Sequence, residues 1–329
     1  MNPIFQARDL SVTFRVGTGS RRKLLSAVNR VTFDVERGEC LAIVGESGCG
    51  KTTLGRTLIG LYEPGEGELL FDGRSTANLD AADRQMVRRR VQMVFQDPHA
   101  SLNPRMKVGE IIAEPLRLHG IGTRDERQRR VADLLEHVGL PAEAAQRFPH
   151  AFSGGQRQRI GIARALALSP DVIVADEPVS ALDVSVQAQV VNLLKELRAR
   201  LGLTLIFIAH DLAVVRYVAT RIAVMYLGRI VEIGRTEDVF GNPQHPYTQA
   251  LLSAVPFPDP DAEEARQRII LKGDIPNPID PPPGCRFASR CRYAFDECQR
   301  ADPAMTRLPD HQQVACHLVA APLAGQGVP

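Results

Sequence analysis

No apolar run in this 329-residue sequence approaches the ~18–20 residues that a membrane-spanning helix needs. The opening stretch, Met1 to Leu10, lacks the basic-then-apolar layout of a secretory signal, so a cytosolic protein is expected. Charge of neither sign dominates: 40 Lys and Arg face 38 Asp and Glu, a net +2, too balanced for a chain built to coat nucleic acid. Arg88-Arg-Arg90 and Arg127-Gln-Arg-Arg130 are interleaved with Asp83, Asp125 and Glu126, and read as solvated helix faces rather than as seats for nucleic acid or anionic lipid. No internal repeat is evident. With 44% hydrophobic and 24% charged residues, collagen-like and disordered classes are excluded as well.

Cysteine is scarce until the end. Cys40 and Cys49 lie early, whereas Cys285, Cys291, Cys298 and Cys316 crowd the last part of the chain. In a reducing compartment those four read as metal or cluster ligands sooner than as disulfides.

What is present is a strand–helix alternation. Leu10–Phe14 and Val31–Val35 are short β-rich runs, separated by a basic loop from Gly17 to Lys23. Cys40–Val44, Val91–Phe95, Val172–Ala175 and Leu205–Ala209 have the length and branching of buried strands. Ser185–Leu201 carries Val186, Val190, Leu193, Leu194, Leu197 and Leu201 on one stripe, and 125–138 repeats the pattern more weakly. This alternation predicts a mostly parallel sheet covered on both faces. Ile222–Tyr226 and Ile230–Ile233 flank Leu227-Gly228-Arg229 as a hairpin. From about residue 241 prolines recur (Pro243, Pro246, Pro256, Pro258, Pro260, Pro276, Pro278, Pro281 to Pro283) and forbid long helices and central strands. The expected division is an α/β body at 1–240, a tether at 241–284 and a small cysteine-held appendage.

Gly45-Glu46-Ser47-Gly48-Cys49-Gly50-Lys51-Thr52 fits G-x-x-x-x-G-K-[ST], after a strand and before a helix. Glycines let backbone N–H groups turn inward around phosphate oxygens, and the following helix start, with Thr53, adds positive potential. Lys51 can reach β- and γ-phosphates, and the Thr52 hydroxyl can ligate Mg²⁺. Val172–Ala175 then ends in Asp176-Glu177, which puts one carboxylate where Mg²⁺ would be held and the next where an attacking water could be oriented or deprotonated. Ser153-Gly154-Gly155-Gln156 opens a further helix and makes a second anion site at its N-terminus.

With that run the chain resembles the ATP-binding subunit of an ABC transporter, over nearly its whole length. The resemblance implies a P-loop NTPase fold with a parallel core sheet, an antiparallel β subdomain, a helical subdomain at about 97–160 and a cysteine-rich C-terminal extension. The implied domains are 1–240 for ATP binding and 241–329 for the extension. It also implies that Gln96 senses Mg²⁺ and water, that Ser180-Ala-Leu-Asp183 is the loop after the catalytic carboxylate, and that His210 contacts the γ-phosphate. Phe14 falls where the family stacks an aromatic on adenine, although a core role stays open. Glu177, His210 and Gln96 are thus the expected catalytic residues. By the same resemblance the chain pairs head to tail with a second ABC ATPase, itself or a related chain, so that Ser153 and Gly155 serve the partner's nucleotide. Residues about 97–150 would dock on two permease subunits at the cytoplasmic face of the inner membrane, with an extracytoplasmic solute-binding protein acting indirectly and no nucleic acid involved.

Longer runs narrow the branch. Gln96–Pro104, Phe148–Gln156, Ala175–Gln187, Asn242–Leu252 and Pro281–Cys285 resemble the dipeptide/oligopeptide importer ATPases. Peptide import is the implied function, and nickel, glutathione or another small solute the alternative cargo. A soluble ABC ATPase acting on ribosomes or DNA is the rival class, disfavoured because neither a second cassette nor a long coiled coil is present. A non-enzymatic regulatory binder is disfavoured by the intact Lys51, Asp176, Glu177 and His210. In the spacing Cys285-x5-Cys291-x6-Cys298-x17-Cys316 the C-x2-C pairs of zinc ribbons are missing. Four soft ligands, with the family's cysteine-rich C-terminus, favour a [4Fe–4S] cluster over Zn²⁺. His311 or His317 are possible substitutes, and unligated thiols remain open. Cys49 is given no chemistry beyond its backbone, and Cys40 is expected in a buried strand.

Overall fold

A computed structural model describes residues 3–17, 23–77, 79–255, 268–279, 281–309 and 311–320. Most of the loop expected between Gly17 and Lys23, together with Pro256, Pro258 and Pro260, lies outside the described residues.

In chain order the body begins with strands β1 (Phe5–Val16), β2 (Lys23–Val35) and β3 (Cys40–Val44), then helix α1 (Lys51–Leu58) and strands β4 (Glu66–Phe71) and β5 (Arg74–Ser75). Helix α2 (Ala81–Arg90) leads into β6 (Val91–Val94), followed by α3 (Pro98–Ser101), α4 (Val108–Leu118), α5 (Arg124–His137) and α6 (Gly154–Leu166). After β7 (Val172–Asp176) come α7 (Val184–Leu201), β8 (Thr204–Ala209), α8 (Leu212–Val218), β9 (Arg221–Tyr226) and β10 (Arg229–Arg235). Helices α9 (Thr236–Gly241) and α10 (Pro246–Ser253) open the C-terminal part, and two short strands, β11 (Thr306–Arg307) and β12 (Gln313–Val314), close it.

The strands form two sheets. One is antiparallel, in the order β2-β1-β4-β5; the other has eight strands, β11-β12-β10-β9-β3-β8-β7-β6, parallel from β9 to β6. Side chains alternate across a strand, and the large sheet shows the result on both faces. Ala42, Ile173, Ala175, Leu205 and Phe207 point into the core shared with the helices α4 to α7. Leu41, Ile43, Val172, Val174, Ile206 and Ile208 point into a second core shared with α1 and the antiparallel sheet. The unbroken apolar runs of the sequence follow from this double burial. The hairpin expected after Arg221 forms, but β9 itself runs parallel to β3 and only β10 reverses.

Local chemistry sets the helix starts. Thr123 and Glu126 close a reciprocal cap on α5, Ser153 and Gln156 do the same on α6, and Asp183 caps α7 by accepting the Val186 N–H. Helix α7 stops at Gly202, in the left-handed conformation that ends helices cheaply.

The C-terminal part is built onto the body. Strand β12 pairs with β10 through Glu232↔Val314 and so joins the edge of the large sheet. The buried Glu232 carboxylate accepts the N–H groups of Gln244 (2.8 Å) and His245 (3.0 Å) just ahead of α10. Tyr226 of β9, Tyr247 of α10 and Phe287 pack as a trio with ring centroids 4.7 to 5.4 Å apart. Among the described residues no helix is long and apolar enough to cross a membrane.

Candidate functional site

Parallel strands deliver their C-terminal ends to one edge of the sheet, where open α/β sheets place their ligands. Gly45 follows β3, Gln96 comes soon after β6, Asp176 ends β7 and His210 follows β8. The ends that carry Gly45, Gln96, Asp176 and His210 therefore share that edge.

Between β3 and α1 the chain turns as a loop from Gly45 to Gly50. Gly50 has φ 107°, and a Cβ there would lie 2.1 Å from the Ala27 carbonyl oxygen, so a side chain is excluded on both counts. The buried Lys51 sends its ammonium back across the loop, donating to the carbonyls of Gly45 (2.8 Å) and Glu46 (3.1 Å). Thr52 donates its hydroxyl proton to Asp176 Oδ1 at 3.1 Å. Burial raises the Asp176 carboxyl above the ordinary range, and the Thr52 hydrogen bond partly offsets that. These two oxygens form an all-oxygen pair suited to Mg²⁺, a hard cation that keeps several waters and takes few protein ligands.

Beside them Glu177 occupies a left-handed backbone conformation (φ 44°) that a non-glycine residue adopts only when its surroundings enforce it. Here the enforcement is the hydrogen bond from its N–H to the Ile208 carbonyl of β8, at 2.9 Å. The Glu177 carboxylate is thereby aimed at two neighbours through one oxygen: Gln96 Nε2 donates to Oε2 at 2.8 Å, and His210 Nδ1 is 3.5 Å from that same oxygen. A carboxylate, an amide and an imidazole on one edge can orient a water and handle its proton.

A cleft of about 340 Å³ opens over the loop, lined among others by Phe14, Ser47, Gly48, Lys51, Thr53 and Glu177. Phe14 is half-buried and meets Tyr62 edge-on, centroids 5.2 Å apart, so it both borders the cleft and packs. Not every expected residue faces this cleft. The Glu46 carboxylate is turned to Arg290, and Cys49 is buried with Sγ 3.9 Å from Lys51 Nζ, so both serve the loop through its backbone. Ser153, Gly154, Gly155 and Gln156 do not line the cleft; they open α6 as a capping box, Ser153 Oγ accepting the Gln156 N–H and Gln156 Oε1 accepting the Ser153 N–H. Gly155 is held close to α7, because a Cβ there would lie 2.2 Å from Val186 Cγ1.

The structure adds residues to which no motif pointed. Leu227 and Gly228, from the β9–β10 turn, and Pro278 line the cleft. Tyr247 accepts the Glu46 N–H at 2.9 Å, and Arg290 grips the Glu46 carboxylate with both arms, at 2.7 and 3.0 Å. Partners more than two hundred residues away leave no local signal.

At the C-terminus all four cysteines are free thiols. Cys285 N–H donates to the Cys298 carbonyl at 2.8 Å. Burial, with smaller contributions from the other three cysteines, pushes the Cys285 thiol up to about 11, which places those three within electrostatic reach of it. Burial also raises Cys291 and Cys316. The donor set therefore has the softness that an iron–sulfur cluster or zinc requires. It is not gathered around a single point: among the described residues no three of His, Cys, Asp and Glu could hold one metal ion, so the expected site is not preformed there. For Cys285, Cys291 and Cys316 burial disfavours the charged form that a ligand would need.

Comparison with known proteins follows these two regions. Residues 28–180 match the family model described as ABC transporter, and residues 231–298 match that of the oligopeptide/dipeptide transporter, C-terminal region. The chain is 54% identical over 314 residues to a Brucella ovis protein provisionally named a peptide import ATP-binding protein, covering 95% of this chain and 97% of that one. It is 49% identical over 321 residues to the dipeptide transport ATP-binding protein DppF of Escherichia coli, covering 96% and 95%. Among solved structures it resembles an ATP-binding cassette captured as a dimer in a post-hydrolysis state with ADP and Pi (TM-score 0.63, 31% identity, 70% of this chain and 98% of that one).

Proposed function

The chain belongs to the ATP-binding subunits of ABC transporters, in the branch with the oligopeptide/dipeptide C-terminal region, and from that premise we propose that it hydrolyses ATP to drive peptide import. One observation carries the reading. The loop from Gly45 to Thr52 is met at a single sheet edge by Asp176, held to Thr52, and by Glu177, held to Gln96 and near His210.

In this reading residues 1–240 form the ATP-binding domain and 241–329 the extension. The loop amides with Ser47, Gly48, Lys51 and Thr53 bind the triphosphate, and Phe14 borders the base. Lys51 exchanges the carbonyls of Gly45 and Glu46 for β- and γ-phosphate oxygens. Mg²⁺, held by Thr52 and Asp176 with Gln96 nearby, supplies charge neutralisation at the phosphates when bound. Glu177 orients the attacking water and takes its proton, and Gln96 and His210 keep that carboxylate aimed. Because Ser153 to Gln156 lie outside the cleft of their own chain, we assign them to the nucleotide of a second ABC ATPase subunit. A groove of about 960 Å³ on the helical part, bordered by Lys107, Glu110, Glu114, Arg117 and Arg127, suits the docking of two permease subunits at the cytoplasmic face of the membrane. A solute-binding protein would deliver cargo to those permeases. Nickel, glutathione or another small solute is the alternative cargo.

The four cysteines are proposed as ligands of a [4Fe–4S] cluster, with Zn²⁺ as the lesser reading. Their support is four free thiols, soft donors within electrostatic reach of one another, in a segment with little core of its own. An anaerobic preparation should contain iron and absorb broadly in the visible; one lacking both overturns the cluster.

The test of the function is ATP turnover by the chain co-purified with its membrane partners. Hydrolysis stimulated by added di- or oligopeptide and the matching binding protein is expected. Full turnover with no membrane partner, stimulated by ribosomes or DNA, would overturn transport.

A further inference from the structure

Glu46 is held at three points by residues outside its own motif. Its N–H donates to the Tyr247 hydroxyl at 2.9 Å, and its two carboxylate oxygens accept from Arg290 Nη1 at 2.7 Å and Nη2 at 3.0 Å. The Arg290 side chain is only 8% exposed, and its guanidinium also faces the Tyr226 ring and hydroxyl. A two-pronged, largely buried guanidinium–carboxylate pair is among the strongest and most directional contacts a protein makes. Removing the guanidinium leaves a half-buried negative charge without this partner.

Where that charge lies gives the pair its meaning. Glu46 follows Gly45 directly, and the carbonyls of both residues receive the Lys51 ammonium. A free carboxylate at this place would lie next to a loop that must accept a triphosphate, and like charges repel strongly where water is scarce. A second arginine of the same segment reinforces the grip: Arg286 donates to the carbonyl of Leu227, in the turn that lines the cleft.

We propose that Arg290 is a positioning residue for the phosphate loop, which through Glu46 holds the loop in shape and cancels a negative charge beside it that would oppose ATP. The inference rests on the ATPase reading above and deepens it. The extension is thus part of the nucleotide site, acting on the loop without touching the nucleotide.

A merely structural role for Arg290 and a charge-cancelling one differ in how they respond to Glu46. Equilibrium binding of MgATP is measured for the full chain as wild type, R290Q, R290K, E46Q and the double variant E46Q/R290Q, with thermal unfolding recorded for each. R290Q should weaken MgATP about tenfold or more, in keeping with loss of a charged hydrogen-bonded pair. R290K, which keeps the charge and loses the fork, should lie between R290Q and wild type. The double variant should bind more tightly than R290Q, returning to within about threefold of E46Q, because the offending charge has gone. Unchanged affinity in R290Q, or a double variant as weak as R290Q, overturns the proposal while leaving the ATPase reading intact. A wild-type chain that does not bind MgATP overturns the ATPase reading instead. Should R290Q not fold, a folded double variant decides by the same threefold margin. Should neither fold, R290K decides, weakened binding supporting the latch and wild-type binding overturning it.

Discussion

Gln96 and Glu177, 81 residues apart, share a 2.8 Å hydrogen bond at the ends of adjacent parallel strands, and His210 approaches the same carboxylate oxygen to 3.5 Å. One oxygen thus has two aiming partners, and the backbone beneath it is held in a conformation with φ 44°. Glu177→Gln should retain MgATP binding and lose turnover by about a hundredfold or more, the usual scale of a positioned general base. Phosphate release and nucleotide binding measured on the same preparation check it; near-normal hydrolysis would remove Glu177 from the mechanism.

Thr52 and Asp176 offer two converging oxygens beside the loop. Asp176→Asn should abolish the difference in affinity between ATP with Mg²⁺ and ATP with EDTA, while binding without the metal persists. Titration of both nucleotide forms reads this directly, and a variant that keeps full Mg²⁺ dependence would transfer the role elsewhere.

Gly155 lies against Val186, with no room for a methyl group. Gly155→Ala should destabilise the chain by about 1–3 kcal/mol, the range for overpacking a filled site. Val186→Ala in the same chain should return part of that loss, since it removes the atom 2.2 Å away. Urea unfolding of the three variants gives the comparison, and purely additive losses would refute the steric account.

His245 is fully enclosed, and burial pulls its imidazole down to about 3, while its Nδ1 accepts the Tyr247 N–H at 3.0 Å. The unfolded chain takes up a proton there near the ordinary histidine value of about 6.5, whereas the folded chain does not. The contribution to stability is therefore complete above about 6.5 and falls as pH drops toward 3, by at most about 1.4 kcal/mol per pH unit. His245→Asn keeps an acceptor for the Tyr247 N–H and cannot titrate, so its stability should decline less steeply over that window. Equal slopes for the two proteins in urea titrations at stepped pH would contradict this.

The parts of the site legible in the sequence are those whose chemistry is local. Gly45 to Thr52 must be contiguous to wrap a phosphate, Asp176-Glu177 must follow its strand, and Ser153 to Gln156 must open a helix. The parallel core was equally plain, because strands buried on both faces are apolar throughout, as in Cys40–Val44. What escaped is held by distance in the chain. Arg290 reaches Glu46 across 244 positions and Tyr247 reaches it across 201, and a lone arginine or tyrosine carries no mark of its partner. The strand β12 has two residues, too short for any alternation to show, yet it sits between β10 and β11 in the main sheet. Helix α4 was legible only as part of a helical region, since Pro115 lies inside it.

Glu232 turns the boundary near residue 241 into a joint. Its carboxyl group is buried in the body and accepts two amide N–H groups that come from beyond that boundary. A chain cut there would keep the acceptor and discard both of these donors. Shortened versions made to isolate a minimal motor, or hybrids that graft a foreign tail onto this body, should be less stable for the loss of those two hydrogen bonds.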